Sequence, residues 1–223
     1  MKKQPYTILA TFVLIGSMAM VAQAQQGPPP VLLEIFVENR AFYVHDQPDY
    51  SKLASDPNPV FPIGAGKTFT VVTGIGDITA MNGHPTKGTF ATWFTAMNLR
   101  PQPALGQAIA DVTRPNMGPQ YFEILDENGT SLGTIALSGW GGGPPAPGAP
   151  PQIQNGSFVI TGGTGIFLGA QGQAGQRPGT SGRAASTSED PSLRRAHGGG
   201  NVTVVFAFAR NSCPYATVEG KLE

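Results

Sequence analysis

The sequence predicts an all-β protein, a closed eight-stranded antiparallel β-barrel with long loops rich in Gly and Pro. Thirty Gly and 21 Pro stand among few helix-forming residues, a composition that favours strands and loops over helices. Period-two alternation of apolar and polar residues recurs along the chain, whereas helical periodicity does not. The roughly eight alternating runs are partly apolar on both faces, and closing them into a barrel removes exposed strand edges.

Residues 1–24 have the layout of a secretory signal peptide. The chain starts "MKK", continues with an apolar run at 6–21, and then offers small residues for cleavage in "AQA" at 22–24. The apolar run is also near the length of a membrane anchor. The cleavage site and the Pro-rich exit at 25–30 favour removal. We therefore expect a secreted or periplasmic protein with no stable membrane anchor.

Composition argues against several kinds of partner. Removing residues 1–24 takes away two Lys and no acids, which leaves 12 basic and 14 acidic side chains and a net charge of −2. That balance gives no electrostatic reason to expect nucleic acid as a partner. Cys213 is the only Cys, and the chain has three His. We therefore expect no disulfide within the chain, no metal site and no cofactor.

The mature chain is expected to form one domain, a barrel at 31–212 followed by a C-terminal tail at 213–223. Two segments, 141–152 and 174–200, are low in apolar residues and are predicted as flexible, solvated loops. A mobile lid is the alternative for the second segment. In that case four cationic side chains would meet an anionic group: Arg177, Arg183, Arg194 and Arg195.

The first predicted strand is "VLLEIFVEN" at 31–39, and residues 41–46 either continue it or begin the next. The stretch 67–81 is predicted as one bent strand or two, with the bend at Gly74 and Gly76. The run at 88–99 alternates, with Phe90, Thr92, Phe94 and Ala96 on one face and Ala91, Trp93, Thr95 and Met97 on the other.

A hairpin is predicted at 121–140, where two alternating runs flank "DENG". Asn128 and Gly129 are expected to supply the positive φ angles of its tight turn. "NGSFVITGG" and "GIFLGAQGQ" are two further strands joined by a turn at 162–165, and "GNVTVVFAFAR" at 200–210 is the last strand.

The glycine-rich segment "ITGGTGIFLGAQGQ" at 160–173 raises the question of a phosphate-binding loop. Such a loop needs Lys-Ser or Lys-Thr after its glycines and a helix whose N-terminus faces the anion. Here a strand-like apolar run follows Gly165, which argues against nucleotide binding. The segment instead resembles the signature of plant allene oxide cyclases and, more loosely, the "GGTGxFxxARG" signature of dirigent proteins.

Other stretches extend this resemblance in outline. "LEIFVENR" at 33–40, "GIGDITAMN" at 74–82 and "VTVVFAFAR" at 202–210 are similar to cyclase strands, and "FYVHD" at 42–46 is similar to the dirigent opening "FYFHD". The two families share an eight-stranded barrel. The resemblance implies a homotrimer that binds a small apolar molecule and steers its cyclisation or stereoselective coupling, as an isomerase acting by conformational control.

Within this resemblance, Glu34 matches the cyclase acid that faces the cavity and polarises the substrate. An acid among Leu32 and Phe36 would have a raised pKa and suit acid–base chemistry. The alternative is that this face of the strand points to solvent or to a subunit contact. Asp46 is the one acid that matches the dirigent mechanism.

Several positions depart from the families and are predicted to bind the ligand. Phe36 stands where cyclases have a water-holding Asn, and Asn82 lies one place from a second such Asn. Gln171 replaces the Tyr of the cyclase motif and the Arg of the dirigent motif. Trp93 and Tyr121 belong to stripes of a kind that usually pack in a core, and that would form the wall of a cavity if the barrel has one.

Two other classes of protein remain open. A non-catalytic carrier of small ligands, or an extracellular structural β protein, would use the same fold without chemistry. A third possibility is an all-β sandwich with no cavity. A cavity containing Glu34 or Asp46 favours the enzyme, an apolar cavity without acids favours the carrier, and a filled core favours the sandwich.

Overall fold

The computed structural model describes residues 30–45, 69–97 and 116–209. The predicted signal peptide and C-terminal tail lie outside these residues, as does Asp46. The described chain forms nine strands and three short helical segments: β1 (Val31–Val44), β2 (Phe69–Met81), β3 (His84–Met97), β4 (Asn116–Leu125), β5 (Ser131–Gly141), β6 (Asn155–Gly163), a 3-10 turn (Gly165–Phe167), β7 (Gly172–Arg177), β8 (Arg183–Ser186), a 3-10 turn (Pro191–Leu193), α1 (Arg194–His197) and β9 (Gly200–Phe208). In these ranges no helix has the length and hydropathy of a membrane span.

Eight of the strands close into an antiparallel β-barrel, as the sequence predicts. Neighbours in sequence pair from β1 to β7, and β9 pairs with both β7 and β1 to close the ring. β8 lies outside the ring. It pairs in parallel with residues 41–44 of β1, beyond the stretch that β9 covers.

The first two strands are each continuous. Residues 41–44 continue β1 rather than begin a new strand, and β2 runs unbroken through Gly74 and Gly76. The register of β1 shifts on both sides near Asn39, which has a φ of 52°. This β-bulge changes which face of the strand points inward. Val37 is buried in the core before it, and Phe42 is buried inside the barrel after it.

Inward-facing apolar side chains fill the barrel from the end at which β1 begins. Phe122 lies between Phe90 and Phe206, with ring centroids 5.2 and 5.1 Å away. Complete burial of one such side chain contributes about 1.5–3 kcal/mol to the stability of the fold. The same cluster contains Leu33, Ile35, Val37, Ile78, Met81, Ile124, Ile135, Leu137, Phe158, Ile160, Val202, Val204 and Phe208.

The glycine-rich segment closes this filled end of the barrel. It was predicted to run as strand from Gly165 onward, and that prediction is wrong. Gly165–Phe167 is a 3-10 turn that places the fully buried Phe167 in the core, and β7 begins only at Gly172. Gly165 has a φ of 60°, and a Cβ there would lie 2.2 Å from the Leu132 carbonyl oxygen. Only glycine fits this turn.

The predicted hairpin is confirmed as β4 and β5, with a different turn chemistry. Gly129 has a φ of 93°, but Asn128 is not among the residues with positive φ. Asp126 organises the turn instead, because its Oδ1 accepts hydrogen bonds from the backbone N–H groups of Asn128 (2.9 Å) and Thr130 (2.7 Å). A local side-chain acceptor of this kind is a common way to stabilise a turn.

The segment 174–200 was predicted as a flexible loop, and much of it is ordered. It contains most of β7, all of β8, and the helical turns that follow. Ala185 of β8 packs on Ala41 and Tyr43 of β1 in a small outer apolar cluster. The segment 141–152 does lack regular structure after Gly141, and the buried Ile153 that follows packs over the outer face of β9.

The arginines of segment 174–200 do meet anionic groups, and these are carboxylates of the same chain. Arg183 forms a bidentate ion pair with Glu189. Arg194 and Arg195 both bind Asp77 on the outer face of β2. Segment 174–200 buries little apolar surface, and charge-assisted hydrogen bonds stabilise its structure instead. Such bonds are about twice as strong as neutral ones.

Candidate functional site

A pocket of about 400 Å3 occupies the end of the barrel opposite the Phe167 plug. Its floor is formed by Phe90, Phe158 and Val202, which also belong to the core. The segment 178–182, between β7 and β8, lines one side. The remaining lining comes from the barrel strands: Arg40, Phe42, Thr92, Phe94, Asn116, Gly118, Gln120, Gly141, Asn155, Gln176 and Arg177. The barrel is thus filled at one end and hollow at the other.

One part of the pocket wall is aromatic. Phe42 of β1 and Phe94 of β3 meet edge to face, with ring centroids 5.8 Å apart and an angle of 80° between the planes. The edge-to-face arrangement is a favoured geometry for two aromatic rings, so the contact stabilises this wall. With Phe90 and Phe158 below, it offers an apolar surface for a ring or a hydrocarbon chain.

The other part of the wall is polar and incompletely satisfied. Thr92 donates a hydrogen bond to the Pro119 carbonyl oxygen at 2.8 Å. In contrast, the Gln120 Oε1 and Asn155 Oδ1 atoms are buried without a hydrogen-bond partner. A buried polar atom without a partner costs about 1–3 kcal/mol. A ligand that donates hydrogen bonds would recover this cost.

Two arginines line the pocket, and Arg40 is the one that is not paired with a carboxylate of the described residues, since Arg177 binds Glu34. The Arg40 Nη1 donates to the Asn201 carbonyl oxygen at 3.3 Å, and the Arg40 guanidinium carbon lies 5.1 Å from the centre of the Phe42 ring. Burial disfavours the charged form and lowers the pKa of Arg40 to about 10. The side chain therefore stays cationic at neutral pH. No carboxylate lines the pocket in the described part of the chain.

The structure places Glu34 on the outer face of β1, away from the pocket. Its neighbours Leu33 and Ile35 are fully buried in the barrel core, so the alternate position points outward. The Glu34 carboxylate forms an ion pair with Arg177, and its side chain is 31% exposed. The expectation that Glu34 faces an interior cavity is wrong. The solvated alternative is the one observed.

Asn82 lies next to Glu34 in the turn between β2 and β3. The two are joined through the backbone, since Asn82 Oδ1 accepts from the Glu34 N–H and the Asn82 N–H donates to the Glu34 carbonyl, both at 2.8 Å. Gln171 is exposed just before β7. Both residues therefore lie at the filled end of the barrel and do not contact the pocket.

The residues predicted as a cavity wall lie on the outside of the barrel. Trp93 and Tyr121 are 60% and 54% exposed, and Phe36 shares the outer face of β1 with Glu34. Trp93 and Tyr121 do lie on one face of β3 and of β4, as predicted, but the opposite face of each strand points inward. On β3 that inner face carries Thr92 and Phe94.

The pocket residues differ in how well the sequence signals them. The alternation of β3 and β4 already groups Phe90, Thr92 and Phe94 on one face and Gln120 with Phe122 on another. Arg40 has no such signal. Counting by twos from Leu33 places it outside, and only the β-bulge near Asn39 turns it inward.

No protein-family model matches this chain, and no curated protein is significantly similar to it. The resemblance to the cyclase and dirigent families therefore stands on the motifs quoted above and on the closed barrel. No group of three or more His, Cys, Asp and Glu side chains in the described ranges is arranged to hold a metal ion.

Proposed function

We propose that this protein is a non-catalytic carrier that binds a small, largely apolar molecule with polar substituents in the hollow end of its barrel. The observation that carries this proposal is the pocket itself, since about 400 Å3 lies in the usual range for small-molecule sites of roughly 300–1,000 Å3. Aromatic walls with a few convergent polar groups are typical of such sites.

The chemistry of the lining favours binding over acid–base catalysis. A general acid or base must lie within hydrogen-bond reach of the reacting atom. Among the described lining residues, none is Asp, Glu, His, Cys or Lys. Glu34 lies outside the barrel, so the acid implied by the family resemblance does not reach a molecule in the pocket.

Conformational steering of a cyclisation or coupling is the second candidate. It is favoured by the packed edge-to-face pair Phe42 and Phe94, because an aromatic wall can hold one conformer of a substrate without a reactive side chain. Two experiments distinguish a carrier from a cyclase. Native mass spectrometry of protein purified from its own source should show one bound, unchanged molecule if the protein is a carrier. A purified cyclase should instead convert an added acyclic substrate.

A substitution that fills the pocket provides the direct test. A Cβ added at Gly141 would lie 3.4 Å from Asn116 Cβ and 3.5 Å from Phe158 Cζ, which is ordinary contact. Gly141→Leu is therefore tolerated by the backbone and projects into the pocket. We expect wild type to bind the neutral fluorescent probe N-phenyl-1-naphthylamine saturably, and Gly141→Leu to bind it at least roughly tenfold more weakly.

Ser138→Leu is the matched control, because Ser138 is an exposed residue of the same strand. It adds the same side chain on the outer face and should leave probe binding unchanged. Both variants should melt within a few degrees of wild type. Equal probe affinity in Gly141→Leu and wild type would refute the pocket as the binding site.

The homotrimer implied by the resemblance is part of the proposal. Its support is the outer face of β3 and β4, where Trp93, Met117 and Tyr121 are all about half exposed or more and lie on paired strands. Neighbouring exposed apolar side chains are typical of protein contacts. We expect the mature protein to sediment as a trimer and a Trp93→Glu/Tyr121→Glu variant as a monomer. A monomeric wild type would contradict this.

A further inference from the structure

Arg40 is a half-buried cation whose Nε is fully removed from solvent, and its hydrogen-bonding capacity is largely unused. A guanidinium carries five N–H donors. Within the described ranges, Arg40 donates one weak hydrogen bond, to the Asn201 carbonyl oxygen at 3.3 Å, and its Nε is buried without a partner. Asn201 is neutral, so this contact does not balance the charge.

The other arginines of the described ranges that lie close to the barrel wall are each paired with a carboxylate. Arg177 binds Glu34, Arg183 binds Glu189, and Arg194 and Arg195 bind Asp77. Arg40 has no carboxylate partner among the described residues, although it lines the pocket and packs on Phe42. A buried charge is normally paired, because removal from water is costly.

We infer that the pocket ligand carries a carboxylate, and that Arg40 binds it. This inference rests on the proposed binding function and narrows it to amphipathic acids. A carboxylate fits the fork of a guanidinium with two parallel hydrogen bonds. The Phe42 ring packs against one side of the guanidinium, so an oxyanion would approach Arg40 from another side.

The rest of the lining agrees with this ligand class. Among the described lining residues, Arg40 is the one cation without a carboxylate partner, since Arg177 is paired with Glu34, and none of them is anionic. The electrostatic potential beside Arg40 therefore favours an anion. The aromatic wall would hold the apolar body of the same molecule. Gln120 Oε1 and Asn155 Oδ1 would accept hydrogen bonds from hydroxyl groups on that body.

The melting temperature of a substituted protein distinguishes a structural role of Arg40 from a ligand-binding role. If the side chain stabilises the fold, its removal must lower the melting temperature. If it serves a ligand, replacement by an apolar side chain of similar length leaves the unliganded fold unchanged or more stable, because a desolvated charge is removed. Arg40→Met is therefore the informative variant, and Arg40→Lys keeps the charge without the fork.

The test uses three carboxylic acids and their neutral primary amides: 3-phenylpropionate, 2-naphthoate and biphenyl-4-carboxylate. Each is titrated against full-length mature protein by displacement of N-phenyl-1-naphthylamine. We expect wild type to prefer at least one acid over its amide by roughly 10- to 100-fold. Arg40→Met should lose that preference while keeping its affinity for the amide and its melting temperature. Arg40→Lys should show an intermediate preference.

Each outcome is decisive. Equal binding of acid and amide in wild type overturns the carboxylate inference and leaves the binding function standing. A loss of thermal stability in Arg40→Met, with an unchanged ratio of acid to amide affinity, assigns Arg40 to the fold and also overturns it. Absence of binding by the neutral probe and by all six compounds overturns both the inference and the proposed function.

Discussion

Replacing Phe167 by Ala is expected to lower the free energy of unfolding by about 3–5 kcal/mol. Phe167 is fully buried in the barrel core and projects from the 3-10 turn that closes one end of the barrel. Truncation removes the transfer free energy of the ring and leaves a cavity that the closed sheet cannot collapse into. Urea unfolding at pH 7, followed by tryptophan fluorescence, measures the change.

The neighbouring Leu168 provides the matched control, because it is 71% exposed on the same turn. Leu168→Ala should change the free energy of unfolding by less than about 0.5 kcal/mol. A loss in Phe167→Ala no greater than that in Leu168→Ala would show that the glycine-rich segment does not plug the barrel. The pocket at the opposite end should keep its affinity for the neutral probe in both variants.

The barrel could be predicted from the sequence because about eight separate alternating runs each indicate a strand, and together they favour a closed sheet. Each alternating run carries its own signal, and a wrong boundary in one run leaves the others intact. The glycine-rich segment could not be predicted in detail. Ile166, Phe167 and Leu168 form a short apolar run that suits a strand or a turn equally well, and the positive φ of Gly165 decides between them only in the folded chain.

The pocket was harder to predict, for a geometric reason. Period-two alternation sorts residues into two faces but does not say which face is inside. On β3 the Phe94 face lines the pocket, and the Trp93 face lies outside. Arg40 depends on a β-bulge, which shifts the alternation by one residue. A bulge costs little and leaves only a weak trace in the sequence, here the turn-tolerant Asn39.

Order in segment 174–200 also escaped prediction, because it depends on partners distant in sequence. Arg194 lies more than a hundred positions from Asp77 in the chain, yet their side chains form a buried hydrogen bond. Composition measures apolar content and does not register such pairs. Asp190 adds a local signal that is visible in the sequence, since its carboxylate accepts from the Ser192 N–H at 2.8 Å and begins the helical turn.

Asp77→Asn is expected to destabilise the fold by about 3–5 kcal/mol at pH 7. The Asp77 carboxylate is buried and accepts hydrogen bonds from Arg194, Arg195 and Asn39. The Arg194 side chain is only 8% exposed, so the substitution leaves a buried cation without its counter-charge. Chemical denaturation at pH 7 measures the loss.

Two further variants separate the buried pair from the exposed one. Arg195 is 63% exposed, and Arg195→Ala should cost no more than about 1 kcal/mol, as surface ion pairs do. The double variant Asp77→Asn/Arg194→Met removes both buried charges and should recover a large part of the stability lost in Asp77→Asn alone. If the double variant is as unstable as the single one, the buried charge is not the cause of the loss.

The contribution of Asp77 should also disappear in acid. Burial opposes ionisation of this carboxyl, but the hydrogen bonds from Arg195, Asn39 and Arg194 outweigh burial and hold its pKa below the ordinary aspartate value. Because the folded pKa is the lower one, the stabilisation is fully present above the unfolded pKa of about 3.9 and is lost as pH falls through the folded pKa. The difference in free energy of unfolding between wild type and Asp77→Asn should therefore be constant from pH 7 to pH 5 and shrink steadily below about pH 4. Glu189, whose pKa is also lowered, is present in both proteins, so its titration cancels from this comparison. If the difference in free energy of unfolding stays constant down to pH 2, ionised Asp77 does not hold segment 174–200 on the barrel.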